Sequence, residues 1–381
     1  MNNVQVKEAL SRQEMKQFVK FPFALYANNP NWVPPLISDE MATLDRHKNP
    51  AFINCETKYW MAYINGNIVG RIAGIINRSY IEKWGNKYTR FGWLDFIDDE
   101  AVSGALIETV ENWALEMKME AVHGPLGFTD FDPEGILVHG FDELASMTTI
   151  YNFPYYPIHL EKLGYRKDVD WLEYEIKIPE KIPERIELFS IIVEKRYNLR
   201  SLKVSSSRGL LPYAQNIFDL LNTAYKGLYG VVKLNKEQVD LYIKQYFTFI
   251  RPDYVSVILD TNNKVAAFAI SIPSLSKALQ KANGKLWPFG FFYFYKAFKR
   301  NEVADLYLVA VRPDLQGKGV NSMLIRDLAT TFIKEGILKA ITHPALEKNN
   351  KVLALWKDFE TRLIKRRRCY IKIITGIKPE L

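Results

Sequence analysis

A glycine-containing turn in the C-terminal half has the residue types needed to bind a phosphate. The segment Gln316-Gly317-Lys318-Gly319-Val320-Asn321 follows an apolar run at 303–311 and leads into an amphipathic stretch. Glycines let backbone N–H groups converge without obstruction by a Cβ atom, and the first turn of a helix adds unpaired donors at its positive end. The spacing is neither GxxxxGK[ST] nor GxGxxG, which disfavours nucleoside triphosphates and dinucleotides. We predict a phosphate-binding turn; the alternative is a purely structural connection.

The elements that must position this turn alternate between strand and helix signals, and the second half of the chain repeats the plan of the first. Each half predicts a hairpin, a strand, a helix and a further strand, with Asn65-Gly66 and Asn262-Asn263 at the hairpin turns. A proline-punctuated segment at 178–187 predicts a linker between the halves. We therefore predict a tandem duplication of one α/β unit, with residues 1–178 and 179–381 as the two domains.

The composition of the chain limits the kinds of ligand and partner that it can be expected to bind. The 381 residues carry a formal net charge of +8, which favours anionic partners. Neither the two cysteines, Cys55 and Cys369, nor the five histidines show metal-ligand spacing, so we expect no metal. The N-terminus predicts a strand and an amphipathic helix, and no apolar run reaches the ~18 residues that span a bilayer. We expect a cytoplasmic protein.

The glycine turn resembles the coenzyme A pyrophosphate loop of the GNAT superfamily of acyl-CoA N-acyltransferases, whose pattern is Q/R-x-x-G-x-G/A between a strand and a helix. Asn321 stands where that pattern ends in a small residue. The resemblance implies two GNAT-like units in tandem, each a mixed, mostly antiparallel sheet flanked by helices. It implies that backbone groups of Val309 and Val311 hold the pantetheine arm of acetyl-CoA or a longer acyl-CoA. The amides of residues 316–321 would hold the pyrophosphate.

Two departures from the superfamily pattern limit this resemblance. The helix that often carries a tyrosine as general acid corresponds to residues 349–356, which contain no tyrosine. In the first half, Ile97-Asp98-Asp99-Glu100 stands where a glycine loop would follow the strand, and its acids would repel a phosphate. We therefore expect the first unit to be a degenerate GNAT-like unit without the phosphate loop, and the second to bind coenzyme A.

The whole chain is similar to a bacterial group of two-unit GNAT-like proteins. The similarity lies in FPFALY at 21–26 with NWVPP at 31–35, in VGRI at 69–72, and in Asn152-x-Pro154-Tyr155-Tyr156. Some members of this group acylate long-chain amines, including sphingoid bases. The resemblance thus implies a small-molecule or lipid amine as acceptor.

Amine acylation needs a base to remove a proton and donors to stabilise the oxyanion. His343 and Glu347 follow a predicted strand next to the glycine turn and are candidate bases; the alternative is a solvated loop. The long, polar loop at 124–140 offers Asp132, Glu134 and His139 to a cationic amine, or is a surface loop held by its own turns. Asn152, Tyr155 and Tyr156 complete the predicted acceptor site, although both tyrosines also suit a core.

Two further segments have alternative interpretations. The aromatic block at 285–300 is flanked by basic residues and predicts either peripheral contact with the inner membrane face or a buried helix. The basic cluster at 365–368 lacks a surrounding nucleic-acid motif, so we interpret it as a solvated strand edge and expect no nucleic acid.

Taken together, the motifs and the resemblance predict an acyl-CoA-dependent N-acyltransferase. The alternative is a non-catalytic protein that binds or senses acyl-CoA or lipid on the same fold.

Overall fold

The computed structural model describes residues 3–247, 250–349, 352 and 354–374. Its strands are β1 Gln5–Glu8, β2 Cys55–Ile64, β3 Asn67–Asn77, β4 Tyr88–Phe96, β5 Ala121–Gly124, β6 Ile136–His139, β7 Arg166–Lys177, β8 Arg200–Ser201, β9 Val255–Leu259, β10 Val265–Pro273, β11 Val303–Val311, β12 Lys339–Thr342, β13 Ala345–Leu346 and β14 Thr361–Ile373. Its helices are α1 Arg12–Leu25, α2 Ile37–Thr43, α3 Arg78–Trp84, α4 Glu100–Glu116, α5 Tyr155–Lys162, α6 Glu184–Arg196, α7 Leu211–Ala224, α8 Lys236–Tyr246, α9 Ser276–Ala282, α10 Gly290–Lys299 and α11 Asn321–Glu335. No helix within these ranges is both long enough and apolar enough to cross a membrane.

The chain divides into two compact units, and neither is one continuous stretch of sequence. The first contains the described residues up to Leu172, then Ser276–Tyr293, then those from Lys365 onward. The second contains Glu173–Leu275 and Phe294–Ile364. The division expected between residues 178 and 179 lies close to the first of these boundaries. The two segments that return to the first unit have no local signal in the sequence.

The first unit is built on a sheet with the order β1-β2-β3-β4-β5-β14. Only β4 and β5 are parallel; the other neighbours along this path are antiparallel. Helix α4 covers one face and buries its apolar side, including Leu106, Val110 and Trp113, in the same core as Trp60 and Phe96. The turn between β2 and β3 is formed by Asn65 and Gly66, both with positive φ, as the dipeptide predicted.

The second unit repeats this order as β8-β9-β10-β11-β12-β7. Again only one pair, β11 with β12, is parallel. Helix α11 takes the place of α4, and its buried residues Met323, Leu324 and Phe332 pack into the second core. The prediction of two tandem units, each with a mixed, mostly antiparallel sheet, is confirmed.

The interpretation of the basic cluster as a solvated edge is wrong. The last strand, β14, begins at Thr361. The basic cluster at 365–368 therefore lies within β14, which is paired with β5 and β6, and is not a solvated edge. Arg366 and Arg368 donate to the buried carboxylate of Asp170, with an Arg368 Nε to Asp170 Oδ1 distance of 2.8 Å. The two arginines are thus held by a buried acid that they share, and not by solvent.

Candidate functional site

The glycine turn of the second unit is fixed at its start by an arginine and at its centre by two left-handed glycines. The Arg312 side chain donates to Asp260 (Nη1 to Oδ2, 2.7 Å) and to Asp314 (Nε to Oδ1, 2.7 Å), which holds the end of β11. Gly317 has φ +74° and Gly319 has φ +82°, a region where a Cβ atom is strained. The two glycines are therefore required by the path of the backbone.

This turn leaves backbone donors unused. In the described part of the chain, the N–H groups of Gly317, Gly319, Val320 and Asn321 make no hydrogen bond. Val320 occupies the N-cap position of α11 and provides no side-chain cap. Four amides thus remain available at the positive end of a 15-residue helix, which is the arrangement that binds an anion.

Lys318 and α6 border the turn. The Lys318 ammonium lies 5.5 Å from the centroid of the Tyr197 ring, where it adds a positive charge near the open amides. A Cβ atom on Gly319 would lie 3.2 Å from Val193 Cγ2 of α6, whereas one on Gly317 would meet nothing within 4 Å. Gly317 therefore borders open space.

Strand β11 parts from β12 just before this turn. Their parallel pairing ends at Leu306 opposite Thr342, and the pairing of β11 with β10 shifts register at Tyr307. Beyond that bulge, the Arg312 amide donates to Ala266 of the β10 edge (2.9 Å), so Val309 and Val311 direct their backbone groups to the opposite, unpaired edge. Their carbonyls accept the Tyr225 hydroxyl (3.1 Å) and the Gln316 side-chain amide (3.2 Å), respectively. The edge offers backbone donors to an extended, amide-containing ligand.

His343, one of the two predicted bases, lies near Tyr307 where β11 and β12 part. It follows β12 directly, and its ring centroid lies 6.4 Å from that of Tyr307. Glu347 is half-buried and follows β13. The predicted helix from Asn350 falls on residues 350, 351 and 353, which lie outside the described residues, and a short 3-10 turn spans Ala354–Trp356.

Sequence reasoning missed Asp305 and Tyr307, which sit on β11 at the parting of the strands. Asp305 is 4% exposed. The Tyr307 hydroxyl is buried and has no hydrogen-bond partner within the described chain. Burial, and then the charges of Asp305 and Tyr246, raises the pKa of Tyr307 well above its ordinary value, so the hydroxyl keeps its proton. The signal was two polar residues two positions apart in an otherwise apolar strand.

In the first unit, the predicted acceptor loop holds carboxylic acids with raised pKa values. Burial is the largest cause for each: it raises the pKa of Asp132 to about 6 and that of Asp130 to about 7. The pKa of Glu134 is raised well above its ordinary value by burial and then by Asp130. The Asp132 carboxylate also accepts the Thr129 amide (2.9 Å), so it stabilises its own loop. His139 is exposed at the end of β6.

The other three predicted acceptor residues hold the fold of the first unit. Asn152 is fully buried and makes two hydrogen bonds with the Leu137 backbone. The Tyr155 hydroxyl donates to the carbonyl of Phe96 (2.5 Å), and buried Tyr156 lies within hydrogen-bond distance of Asp95 (3.3 Å). The structure thus gives these side chains structural partners.

One group of metal-ligand types occurs in the first unit. His123, Asp168 and Cys369 place one ligand atom each within 4.8 Å of one another. The three residues come from β5, β7 and β14 and share no sequence spacing.

Comparison with known proteins places the open turn in a family. A model of the acetyltransferase (GNAT) family matches residues 214–360, which include β11, the glycine turn and α11. The chain carries a GNAT-family domain.

The similarity to known proteins extends beyond this domain. Protein YghO of Escherichia coli K12 is 27% identical over 376 residues, covering 97% of this chain and 95% of YghO. A bacterial ceramide synthase of Caulobacter vibrioides is 26% identical over 283 residues, covering 73% of this chain and 72% of that protein. A solved tandem GNAT protein from the clavulanic acid biosynthesis pathway aligns with a TM-score of 0.55 at 14% identity, over 99% of this chain and 100% of its own. That last likeness supports the tandem fold alone.

Proposed function

We propose that this protein is an acyl-CoA-dependent N-acyltransferase whose acyl donor binds the second unit. The observation that supports this most directly is the set of four unused amides at Gly317–Asn321, next to the unpaired edge of β11. The amides match a pyrophosphate and the strand edge matches the amide-rich pantetheine arm. An acyl-CoA brings a thioester, in which the carbonyl carbon is open to attack by an amine.

The residues at the parting of β11 and β12 supply proton transfer in this proposal. A neutral amine nitrogen forms the new C–N bond, the C–S bond breaks, and the nitrogen loses a proton while the thiolate gains one. We assign the base to His343, directly or through water, with Glu347 as the alternative. We assign the proton donor to Tyr307, because its hydroxyl is buried, protonated and without a partner in the described chain. It replaces the tyrosine missing from residues 349–356.

We further propose a long acyl chain and a lipid amine, such as a sphingoid base, as donor and acceptor. The relative named as a bacterial ceramide synthase supports this choice, since such an enzyme forms an amide on a lipid amine. Asp132 and Glu134 are the proposed ammonium-binding acids. A lipid acceptor would place the enzyme in the cytoplasm with peripheral access to the inner membrane face.

The experiment combines binding and turnover. Calorimetric titration with free CoA, acetyl-CoA and palmitoyl-CoA should show binding of all three, tightest for palmitoyl-CoA. Release of free thiol should then follow when sphinganine, a short alkylamine or an amino sugar is added. Binding without thiol release from any amine would instead support a non-catalytic acyl-CoA sensor. Failure of all three ligands to bind would mean that the turn is structural.

A further inference from the structure

Among the described residues, one short segment carries a run of six exposed large apolar side chains. We define the aromatic surface as Leu286, Trp287, Phe289, Phe291, Phe292 and Tyr293, which run from the loop before α10 into its first turn. Trp287 is 77% exposed, Phe289 67% and Phe292 56%. Soluble monomers rarely display so many large apolar side chains together, so this surface calls for a partner.

The segment that carries the aromatic surface is firmly attached to the first unit. Helix α9 buries Ala278, Leu279 and Ala282. Gln280 donates to the carbonyls of Pro30 (2.7 Å) and Trp32 (3.0 Å), and the Gly284 carbonyl accepts the Ile37 amide. The aromatic side chains are therefore exposed on a segment that is anchored to the first unit.

The segment that carries this surface has basic residues and no acidic ones. Residues 261–301 contain no aspartate or glutamate. The exposed basic residues of the segment and of the rest of α10 are Lys277, Lys281, Lys285, Lys296, Lys299 and Arg300. Two of these cations lie over rings of the block, Lys281 5.9 Å from the Tyr293 centroid and Lys299 5.0 Å from that of Tyr295.

We infer that the aromatic surface docks on an anionic lipid bilayer. Aromatic side chains enter the boundary between headgroups and acyl chains, while lysine and arginine remain among the anionic headgroups. The segment Ser276–Tyr293 contains three lysines and is divided between two helices, so it lies on such a surface and does not cross it. The inference rests on exposure and charge alone, so it is independent of the acyl donor and of the acceptor amine.

Vesicle flotation of the full-length protein without CoA tests this inference. We expect co-flotation with vesicles of phosphatidylcholine containing 30% phosphatidylglycerol, at least tenfold weaker binding to pure phosphatidylcholine, and loss of binding as salt rises. The variant Trp287→Ala/Phe289→Ala/Phe292→Ala should lose at least tenfold of the binding to anionic vesicles. Because these side chains are exposed, its thermal unfolding should match that of the unchanged protein.

A matched control lies on α6, where Leu188, Phe189 and Ile192 are also exposed, at 60%, 49% and 55%. The triple alanine variant at those positions should keep full vesicle binding. Equal loss in both triple variants, or no binding of the unchanged protein to anionic vesicles, would overturn the inference. A dimer in sedimentation that only the Trp287 triple variant dissociates would assign the surface to a second copy of the chain. Thiol release with a soluble amine separates this result from the proposed function, since the Trp287 triple variant should keep it.

Discussion

Both units contain the same strand-to-helix connection, but the N-terminus of the helix is capped in the first unit and open in the second. In the first unit, β4 leads through Ile97-Asp98-Asp99 into α4, and the Asp99 carboxylate accepts the Ala101 amide at 2.8 Å. In the second, β11 leads through the glycine turn into α11, where Val320 gives no side-chain cap and four amides stay open. One helix carries its own anion at its N-terminus, and the other leaves that place to a ligand.

The parted strands show the same contrast. In the first unit, the pairing of β4 with β5 ends at Arg90, and the chain's own loop then fills the edge. The Leu126 amide donates to Phe91 (2.9 Å), Arg90 donates to Gly127 (2.9 Å), and a Cβ atom on Gly92 would lie 2.7 Å from the Leu126 carbonyl oxygen. We propose on these grounds that the first unit keeps the fold without the cofactor site. A duplicated fold can thus lose a ligand by supplying the ligand's contacts from its own chain.

The sharpest test of this contrast places an anion in the open turn. Gly317→Asp should weaken palmitoyl-CoA binding by 100-fold or more, about 3 kcal/mol, because a carboxylate would occupy the space among the four amides. Gly336→Asp at the other end of α11 is the matched control: φ is +72° there against +74° at Gly317, and neither Cβ would meet an atom within 4 Å. Calorimetry should show unchanged affinity for the control. Equal weakening in both variants would mean that helix strain, and not the turn, sets the affinity.

A smaller effect is expected where the strands part in the second unit. Tyr307→Phe removes a buried hydroxyl that has no partner in the described chain, so the free energy of unfolding should stay the same or rise. If the hydroxyl donates the proton to the thiolate, kcat should fall by about 10- to 100-fold while palmitoyl-CoA affinity is kept. Stopped-flow thiol release and calorimetry measure the two quantities. A variant with full kcat would remove Tyr307 from the mechanism.

In the first unit, the filled loop should respond to pH. The pKa of Asp132 is about 6 in the folded protein and near its ordinary value of 3.8 when unfolded, so the folded state binds more protons between these values. This carboxyl therefore lowers stability as pH rises from about 4 to above 6. Asp132→Asn should raise the free energy of unfolding by about 3 kcal/mol at pH 8 and by less than about 1 kcal/mol at pH 4. Urea unfolding at both values checks this, and an equal gain at pH 4 would contradict it.

The smallest effect concerns the cap of the first unit. Asp99→Ala removes the acceptor of the Ala101 amide, so unfolding should become easier by about 1 kcal/mol. Acyl-CoA affinity should not change, because that site is assigned to the second unit. Thermal unfolding and calorimetry on one preparation give both results. Altered affinity without altered stability would break the proposed division of roles.

Local features were predictable because they depend on a few neighbouring residues. Asn65-Gly66 forms its turn, and the repeated order of strands and helices is present in both halves. The proline-rich segment at 178–187, predicted to be a linker, lies within the second unit. The glycine pattern likewise predicted the turn before α11. The predicted roles of His343, Glu347, Asp132 and Glu134 stay predictions that the experiments above address.

The remaining features of the fold and the site depend on contacts between residues that are far apart in the sequence. The sequence alone determined the tandem plan and the open turn, because periodicity, glycine and missing caps act within one or two turns of chain. Only the tertiary structure decided that Lys365 and Arg367 are buried in β14, that the Tyr307 ring lies near His343 where two strands part, and that the aromatic surface is exposed. Whether a residue is buried depends on which distant strand or helix packs against it, and the neighbouring residues in the sequence do not determine that contact.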